Sequence, residues 1–541
     1  MKPRLLRLAE ATLLIAILLI PSIWMLKVVP PLWKDVDAYI QVTQPPGVGT
    51  ILHYAPLYCF VARIPFYLGQ AIESFRVATT FPRGSFFVHP TLSDSGVFVL
   101  LLSQHLALCA AAFHLICLAS RLFLARIVLA IAWAANPLFY TFAQCVGAET
   151  LSMILLLLIS AEGLRMIRNP GKVPRKDWFL LGILLWLCIL TRHINAILAI
   201  LLPLAFFLLS AHRLVMIPVT RSRLHRRWRR LQVKRDLRNA ALTLAIGVSC
   251  VVLSNATLRS LSYAFHIPYR SRVGVTFLWR LKFLATLPAE TRNQLLNKVA
   301  KNTPSPEVRK LISVLRQSPS EDQNWDVLAF MHKAQVALFT PETESQDEKF
   351  NLVLNRTARA FLYPPDETFL RAVGTDFAKS QKTRIPDVVN HLFGSTTFYF
   401  SHPETMADCA SLSTFREKSA ADILAVFKKH SYFRHAKRFG YTGFLIFWLV
   451  NLSLLAVLAK IRKEDVATVF SYATALTLIG LLIMLANCVL TEFQSRFTLP
   501  MWELTIVSVS VLFGRTVECL TKLRSAQSRA ALSLAASRHA T

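Results

Sequence analysis

The chain has 541 residues, with 61 Lys and Arg against 31 Asp and Glu, for a formal net charge of +30. Its hydrophobic fraction of 54% and mean hydropathy of +0.44 exclude an ordinary soluble enzyme of this size. The long apolar runs, in place of alternating segments of about 10 residues, point away from an outer-membrane barrel. The basic residues cluster in short gaps between apolar segments, which marks membrane orientation rather than nucleic-acid binding.

In chain order, the basic start Met1-Lys2-Pro3-Arg4 leads into an apolar run with no small-residue cleavage site after it, so it reads as a retained first helix. Windows long and apolar enough to cross a bilayer fall at about 9–29, 98–120, 127–143, 148–165, 178–191, 194–211, 239–258, 440–459, 466–488 and 498–514. The expected fold is an all-α integral membrane protein of about ten transmembrane helices plus a helical extracytoplasmic domain. Residues 1–258 form an N-terminal membrane module of seven spans, 259–439 the extracytoplasmic domain, and 440–541 a module of three spans with a basic cytoplasmic tail. The cysteines are scattered, mostly within apolar segments, with no CxxC and no metal-ligand spacing.

With the N-terminus cytoplasmic, the basic connections alternate. They hold Arg121 and Arg126, Arg165 to Lys176, Arg221 to Arg238, Lys460 to Lys463, and the tail after Arg515. The Arg-rich run His225-Arg226-Arg227-Trp228-Arg229-Arg230 anchors topology and suits anionic headgroups. Two opposite segments are long. The first, 30–97, carries an acidic motif and an amphipathic stretch, Ala55 to Phe75, that fits a helix lying in the interface. The second, 259–439, has a helix start at Ser305-Pro306-Glu307, helical periodicity from Pro319 to Phe339, and an acidic loop from Thr340 to Lys349.

The unusual polar residues then share one side of the membrane. Asp35 and Asp37 follow the first span in Trp33-Lys34-Asp35-Val36-Asp37-Ala38-Tyr39. His53 precedes the interfacial helix and Tyr58 opens it; Glu149 opens the fourth span. Arg192 and His193 lie at the turn between spans five and six. Glu492 and Arg496, spaced to pair at i and i+4, lie between spans nine and ten. Transfer from a lipid-phosphate sugar needs a carboxylate to activate an acceptor and a cation to hold the departing phosphate, and the planar Arg fork suits phosphate oxygens. The Asp-x-Asp pair also offers hard oxygens of the kind that bind Mg²⁺ or Mn²⁺.

Asp35-Val36-Asp37-Ala38-Tyr39, Pro56-Leu57-Tyr58, Ala148-Glu149-Thr150-Leu151, Thr191-Arg192 and the stretch Glu492 to Pro500 together resemble the GT-C superfamily of polyprenyl-phosphate-sugar-dependent glycosyltransferases, which includes protein mannosyltransferases and aminoarabinose transferases. The likeness covers most of the membrane part and none of 259–439. The first-loop motif departs from the family's Asp-Glu or lone Asp, and Arg496-Phe497 stands where the family has Arg-Tyr. The resemblance implies an inverting glycosyltransferase of the inner (cytoplasmic) membrane, active on its extracytoplasmic face. Its donor would be a polyprenyl-phosphate sugar and its acceptor a glycan, lipid or protein. Asp35 or Asp37 would be the catalytic base, and Tyr39, His53, Tyr58, Glu149, Arg192, His193, Glu492 and Arg496 would bind substrate. Some family members use a divalent metal and others none.

Two other classes predict different residues. An O-antigen ligase or polymerase would depend on Arg270, Arg272 or Arg280 in the large loop. A transporter or flippase would carry ionisable residues within its spans, or an internal repeat.

Overall fold

The computed structural model describes residues 2–33, 56–77, 93–169, 173–215, 223–266, 272–317, 327–339, 345–401, 412–434, 440–462 and 466–539. The membrane part opens with α1 (Lys2–Val28), the two-residue strand β1 (Leu32–Trp33), α2 (Pro56–Val77) and α3 (Asp94–Ala119). The short helices α4 (Phe123–Ala134) and α5 (Pro137–Ala143) follow, then β2 (Cys145–Val146), α6 (Ala148–Arg168) and α7 (Arg175–Thr191). A 3₁₀ turn, His193–Ile200, runs into α8 (Leu201–Val215), and α9 spans Arg223–Ala264.

The polar part comprises α10 (Arg272–Arg280), a 3₁₀ turn Leu281–Thr286, α11 (Ala289–Lys301), α12 (Pro306–Gln317), α13 (Val327–Leu338) and α14 (Ser345–Leu362). It continues with α15 (Glu367–Lys382), α16 (Ile385–Ser401), α17 (Ser413–Glu417), α18 (Ala420–Lys429) and α19 (Ser431–Arg434). The chain ends in α20 (Tyr441–Arg462), α21 (Ala467–Leu490), a 3₁₀ turn Ser495–Thr498 and α22 (Leu499–His539).

Among the described residues, eight helices are long and apolar enough to cross a membrane, or nine if the bent pair α4–α5 is one span. That pair turns by 60° at its break, where Asn136 caps the second helix through the Leu138 N–H. The seventh helix has 17 residues, short of the roughly 20 a straight span needs. The basic run from Arg223 to Arg238, expected as a connection, is the first part of the 42-residue α9, which rises about 63 Å at 1.5 Å per residue. A hydrocarbon core of about 30 Å takes less than half of that. In the polar part α14 begins at Ser345, inside the stretch expected as a loop.

Backbone groups freed within the bundle find partners, as an apolar solvent requires. Around Pro21 of α1, the Leu18 carbonyl accepts from the Tyr140 hydroxyl at 2.9 Å and the Cys109 thiol at 3.4 Å. Tyr432 of α19 donates to the Ala134 carbonyl at the break between α4 and α5, 2.9 Å away. At one end of the bundle Arg168 donates to the Leu118 and Ala119 carbonyls that end α3. At that end Arg165 bridges Glu162 and Asp177 at 2.6 and 2.7 Å, and Arg126 meets Glu10 at 2.6 Å.

The opposite end carries the polar part. Trp24 near the end of α1 packs edge-on against His430 and Tyr432. Arg280, 1% exposed, is ion-paired with Asp376 and faces the Phe283 and Phe369 rings. The interfacial stretch forms α2, which crosses α3 so closely that a Cβ at Gly69 would lie 2.2 Å from the Ser95 carbonyl oxygen. Its other face exposes Val61, Ile64, Leu68 and Ile72, an apolar stripe suited to lipid.

Candidate functional site

The backbone frame of the site is small and specific. Leu32 and Trp33 pair in parallel with Cys145 and Val146. Leu32 N–H donates to the Gln144 carbonyl at 3.0 Å, and the Gln144 side chain returns a bond to the Val29 carbonyl at 2.7 Å. His105, fully buried in α3, ties Ser22 at 3.2 Å to the Gln144 side chain at 2.9 Å. The strand leading to Asp35 is therefore fastened beside Gly147, which opens α6 and its first-turn Glu149. Asp35, Asp37, Tyr39 and His53 themselves lie outside the described residues.

Tyr58 serves the backbone frame. Its hydroxyl donates to Gln104 Oε1 at 3.1 Å and accepts from the Gly147 N–H at 3.0 Å, and its side chain is buried. Burial pushes its phenol above the usual tyrosine range against the opposing effect of the Gly147 bond. Gln104 in turn donates to the Ala143 and Cys145 carbonyls. Tyr58 thus acts on Glu149 at one remove, by holding the turn that begins α6.

Glu149 is 2% exposed, and its Oε1 lies 4.0 Å from a guanidinium nitrogen of Arg192. Arg192 is the residue where α7 ends and the 3₁₀ turn begins, so its backbone is extended and its side chain projects from a chain reversal. His193 is the first residue of that turn. One turn deeper, Asn195 donates to the Ser152 hydroxyl at 2.8 Å and the Cys188 carbonyl at 3.0 Å, locking the reversal against α6. Across from it, the Arg192 guanidinium stands 5.9 Å from the centroid of Phe497, and that of Arg496 stands 5.3 Å from the same ring. Sequence spacing separated these arginines; the fold brings them to one aromatic ring.

Glu492 differs from expectation. It pairs with Lys282 of the polar part, at 3.1 Å to one oxygen and 3.3 Å to the other, in place of an i+4 pair with Arg496. The helical geometry such a pair needs is missing, because α21 ends at Leu490 and the chain is not α-helical again until Leu499. Gln494 donates to the same carboxylate at 3.0 Å.

Two ends of one helix connect these parts. Thr396 of α16 accepts from the Trp33 N–H at 2.9 Å. Near the start of α16, the Asp387 carbonyl accepts from the Ser495 hydroxyl at 3.4 Å. A cavity of about 240 Å³ opens beside Pro30 and Pro31, lined by Lys27, Asp94, Phe98, Thr414 and Lys418 among others. Asp94 there accepts from the Ser413 backbone N–H and hydroxyl at 3.0 Å.

Among the described residues no group of three His, Cys, Asp or Glu side chains converges as a metal site. Of the loop arginines, Arg280 is committed to Asp376, while Arg270 and the Arg272 side chain lie outside what the structure describes. Sequence reading missed Lys282, Thr396 and Phe497. The aromatic position was visible only as the replacement of a tyrosine, and the other two sit in a segment without recognisable motifs.

The fold defines a helical integral membrane protein with a polar helical part at one end of its bundle. No family model, no curated protein and no solved structure matches the chain.

Proposed function

We propose that the chain is a membrane glycosyltransferase of GT-C type. It moves a sugar from a polyprenyl-phosphate donor to an acceptor on the extracytoplasmic face, with Asp35 or Asp37 as base and Arg192 and Arg496 on the phosphate. The observation that carries this reading is the bridge made by α16. Thr396 holds the strand that leads into the acidic motif, and Asp387 holds the turn that bears Arg496. The nine-residue step from Asp387 to Thr396 amounts to about 14 Å of helix. A base and a phosphate ligand rooted that far apart suit a substrate whose reacting carbon lies between acceptor and phosphate.

Glu149 keeps Arg192 oriented, and the Phe497 ring gives both guanidinium groups an apolar face that excludes water. Phosphate leaving from such a site exchanges water for fixed donors, which favours the charge that develops in transfer. The test is transfer from a polyprenyl-phosphate sugar by the purified chain, beside Asp35→Asn, Asp37→Asn and the double variant. Unchanged turnover in the double variant sinks the reading.

One observation favours a flippase instead. Glu503, 1% exposed within α22, has no hydrogen-bond partner for its Oε1 among the described residues. An acid inside a span is the mark of a translocation path. Lipid scrambling by the purified chain in liposomes, lost in Glu503→Gln and kept in the double aspartate variant, is the result that would move this reading ahead.

A further inference from the structure

Lys282 stands on the 3₁₀ turn that follows α10, at the contact between the polar part and the membrane bundle. Its neighbour Arg280 is 1% exposed and fixed by Asp376 and two phenylalanine rings. The Lys282 side chain is 31% exposed, its Glu492 partner is 26% exposed, and the ammonium also stands 4.9 Å from the Trp279 ring centroid. A cation that solvent reaches forms a weak pair, so opening it costs little. Glu492 keeps a partner when that happens, because Gln494 donates to the same carboxylate. Glu492 also begins the short loop whose other end is Arg496 and Phe497.

We propose that Lys282 is a third cation of the anion site, contributed by the polar part and held by Glu492 until a lipid-linked phosphate takes its place. This deepens the glycosyltransferase reading and rests on its assignment of Arg192 and Arg496 to the phosphate. Lysine fits the role, since its ammonium is a point charge on a flexible stem that swings between two anions, whereas arginine's fork is better at holding one. Trp279 marks the resting position of the ammonium. The polar part then serves as more than a cover, because it senses the donor through a charge it lends to the site.

The experiment uses the full chain in detergent with farnesyl phosphate as probe, and farnesol and inorganic phosphate as controls. If Lys282 is shared as stated, the two halves of the pair shift affinity in opposite directions. Lys282→Ala weakens farnesyl phosphate binding by about tenfold, as loss of a charge-assisted contact does. Glu492→Gln removes the competitor and tightens it by roughly two- to fivefold. An unchanged melting temperature and elution profile in Lys282→Ala guard against a folding defect in the alanine variant. Binding also changes Trp279 emission, read as the difference between the wild type and Trp279→Phe, and the change disappears in Lys282→Ala. A purely structural tie predicts that both substitutions weaken binding alike, and that result overturns the inference while leaving the transferase reading in place. No binding of farnesyl phosphate by the wild type removes the reading itself. Inorganic phosphate binding as tightly as farnesyl phosphate overturns the lipid-linked ligand.

Discussion

Arg192 and Arg496 meet at a single ring, their guanidinium carbons 5.9 and 5.3 Å from the Phe497 centroid. Two like charges drawn to one ring repel each other unless an anion compensates them. Glu149 supplies one carboxylate to Arg192. Its partner across the loop, Glu492, is engaged by Lys282 instead. A bound phosphate would place negative charge beside both guanidinium groups, which like charges at close quarters favour.

Arg192→Ala and Arg496→Ala are therefore expected to weaken use of a lipid-phosphate donor. Losing a charged hydrogen bond costs roughly 1.5–3 kcal/mol, or one to two decades in affinity. Phe497→Leu removes the shared ring and costs about 0.5–1 kcal/mol for each cation at an exposed site. Donor titration at limiting concentration measures both. Arginine variants with wild-type affinity would mark these residues as helix-end anchors only.

Asp35→Asn or Asp37→Asn is expected to lower transfer by about 10²–10⁴-fold, the usual contribution of general-base assistance. Melting temperature and detergent elution profile should stay those of the wild type. A metal requirement separates two roles. If Mg²⁺ or Mn²⁺ restores chelator-treated enzyme, both aspartates are expected to matter alike; if not, one carries most of the effect.

Tyr58→Phe tests the support of the site. It leaves the Gly147 N–H without its acceptor and Gln104 Oε1 without its donor. Such buried losses cost about 1–3 kcal/mol, so the variant should melt earlier and bind donor less well through a displaced Glu149. Because burial raises the phenol's pKa, the hydroxyl remains a donor across the working pH range, and the defect should not vary with pH. Wild-type melting would show that the turn at Gly147 is held by other contacts.

The polar helices should be acid-sensitive. Ser419 bonds lower Asp422, Ser305 lowers Glu307, and Asp366 lies low because bonds from Lys298 and Thr368 outweigh its burial. Groups with depressed native values stabilise the fold above their unfolded pKa, and that stability is lost as pH falls through the native value. The window therefore begins near the ordinary values of 3.8 for Asp and 4.5 for Glu and extends below them. Denaturation followed by circular dichroism from pH 6 to 2 should show a transition that Asp366→Asn blunts. A flat profile would assign these bonds no net stabilisation.

Sidedness has its own test. Trp228 is 57% exposed on the basic stretch of α9, and Leu352 is 52% exposed on α14. Cysteines placed at these positions should react with an impermeant maleimide from opposite faces of sealed vesicles, Leu352→Cys from the extracytoplasmic one. Labelling from the same face would dissolve the shared site.

Much of this fold was readable from apolar runs alone, because a bilayer leaves the backbone few choices. Reading failed where a run was broken by local geometry: Asn136 and Pro137 bend the third span, and the helix of α9 simply continues through residues that look like a loop. The two arginines were legible as candidates at helix ends. What brings them to one ring was not. Thr396 and Lys282 belong to a polar segment whose pairing with Trp33 and Glu492 is a long-range packing outcome, without local periodicity to announce it. Tyr58 was legible as unusual, but its tie to Gln104 and to the Gly147 N–H was not, since both partners lie far along the chain.

Because Leu32–Trp33 pairs in parallel with Cys145–Val146, the root of the acidic motif has no backbone partner until synthesis has passed Val146. Thr396 then joins it only after the polar helices are made, and Phe497 arrives with the last apolar helix. Membrane insertion therefore runs ahead of site assembly. A nascent chain can be fully threaded through its early helices while the acids and the arginines still lack their frame. Maturation of activity should lag insertion, and premature termination just before Arg496 should yield a stably embedded but inert product.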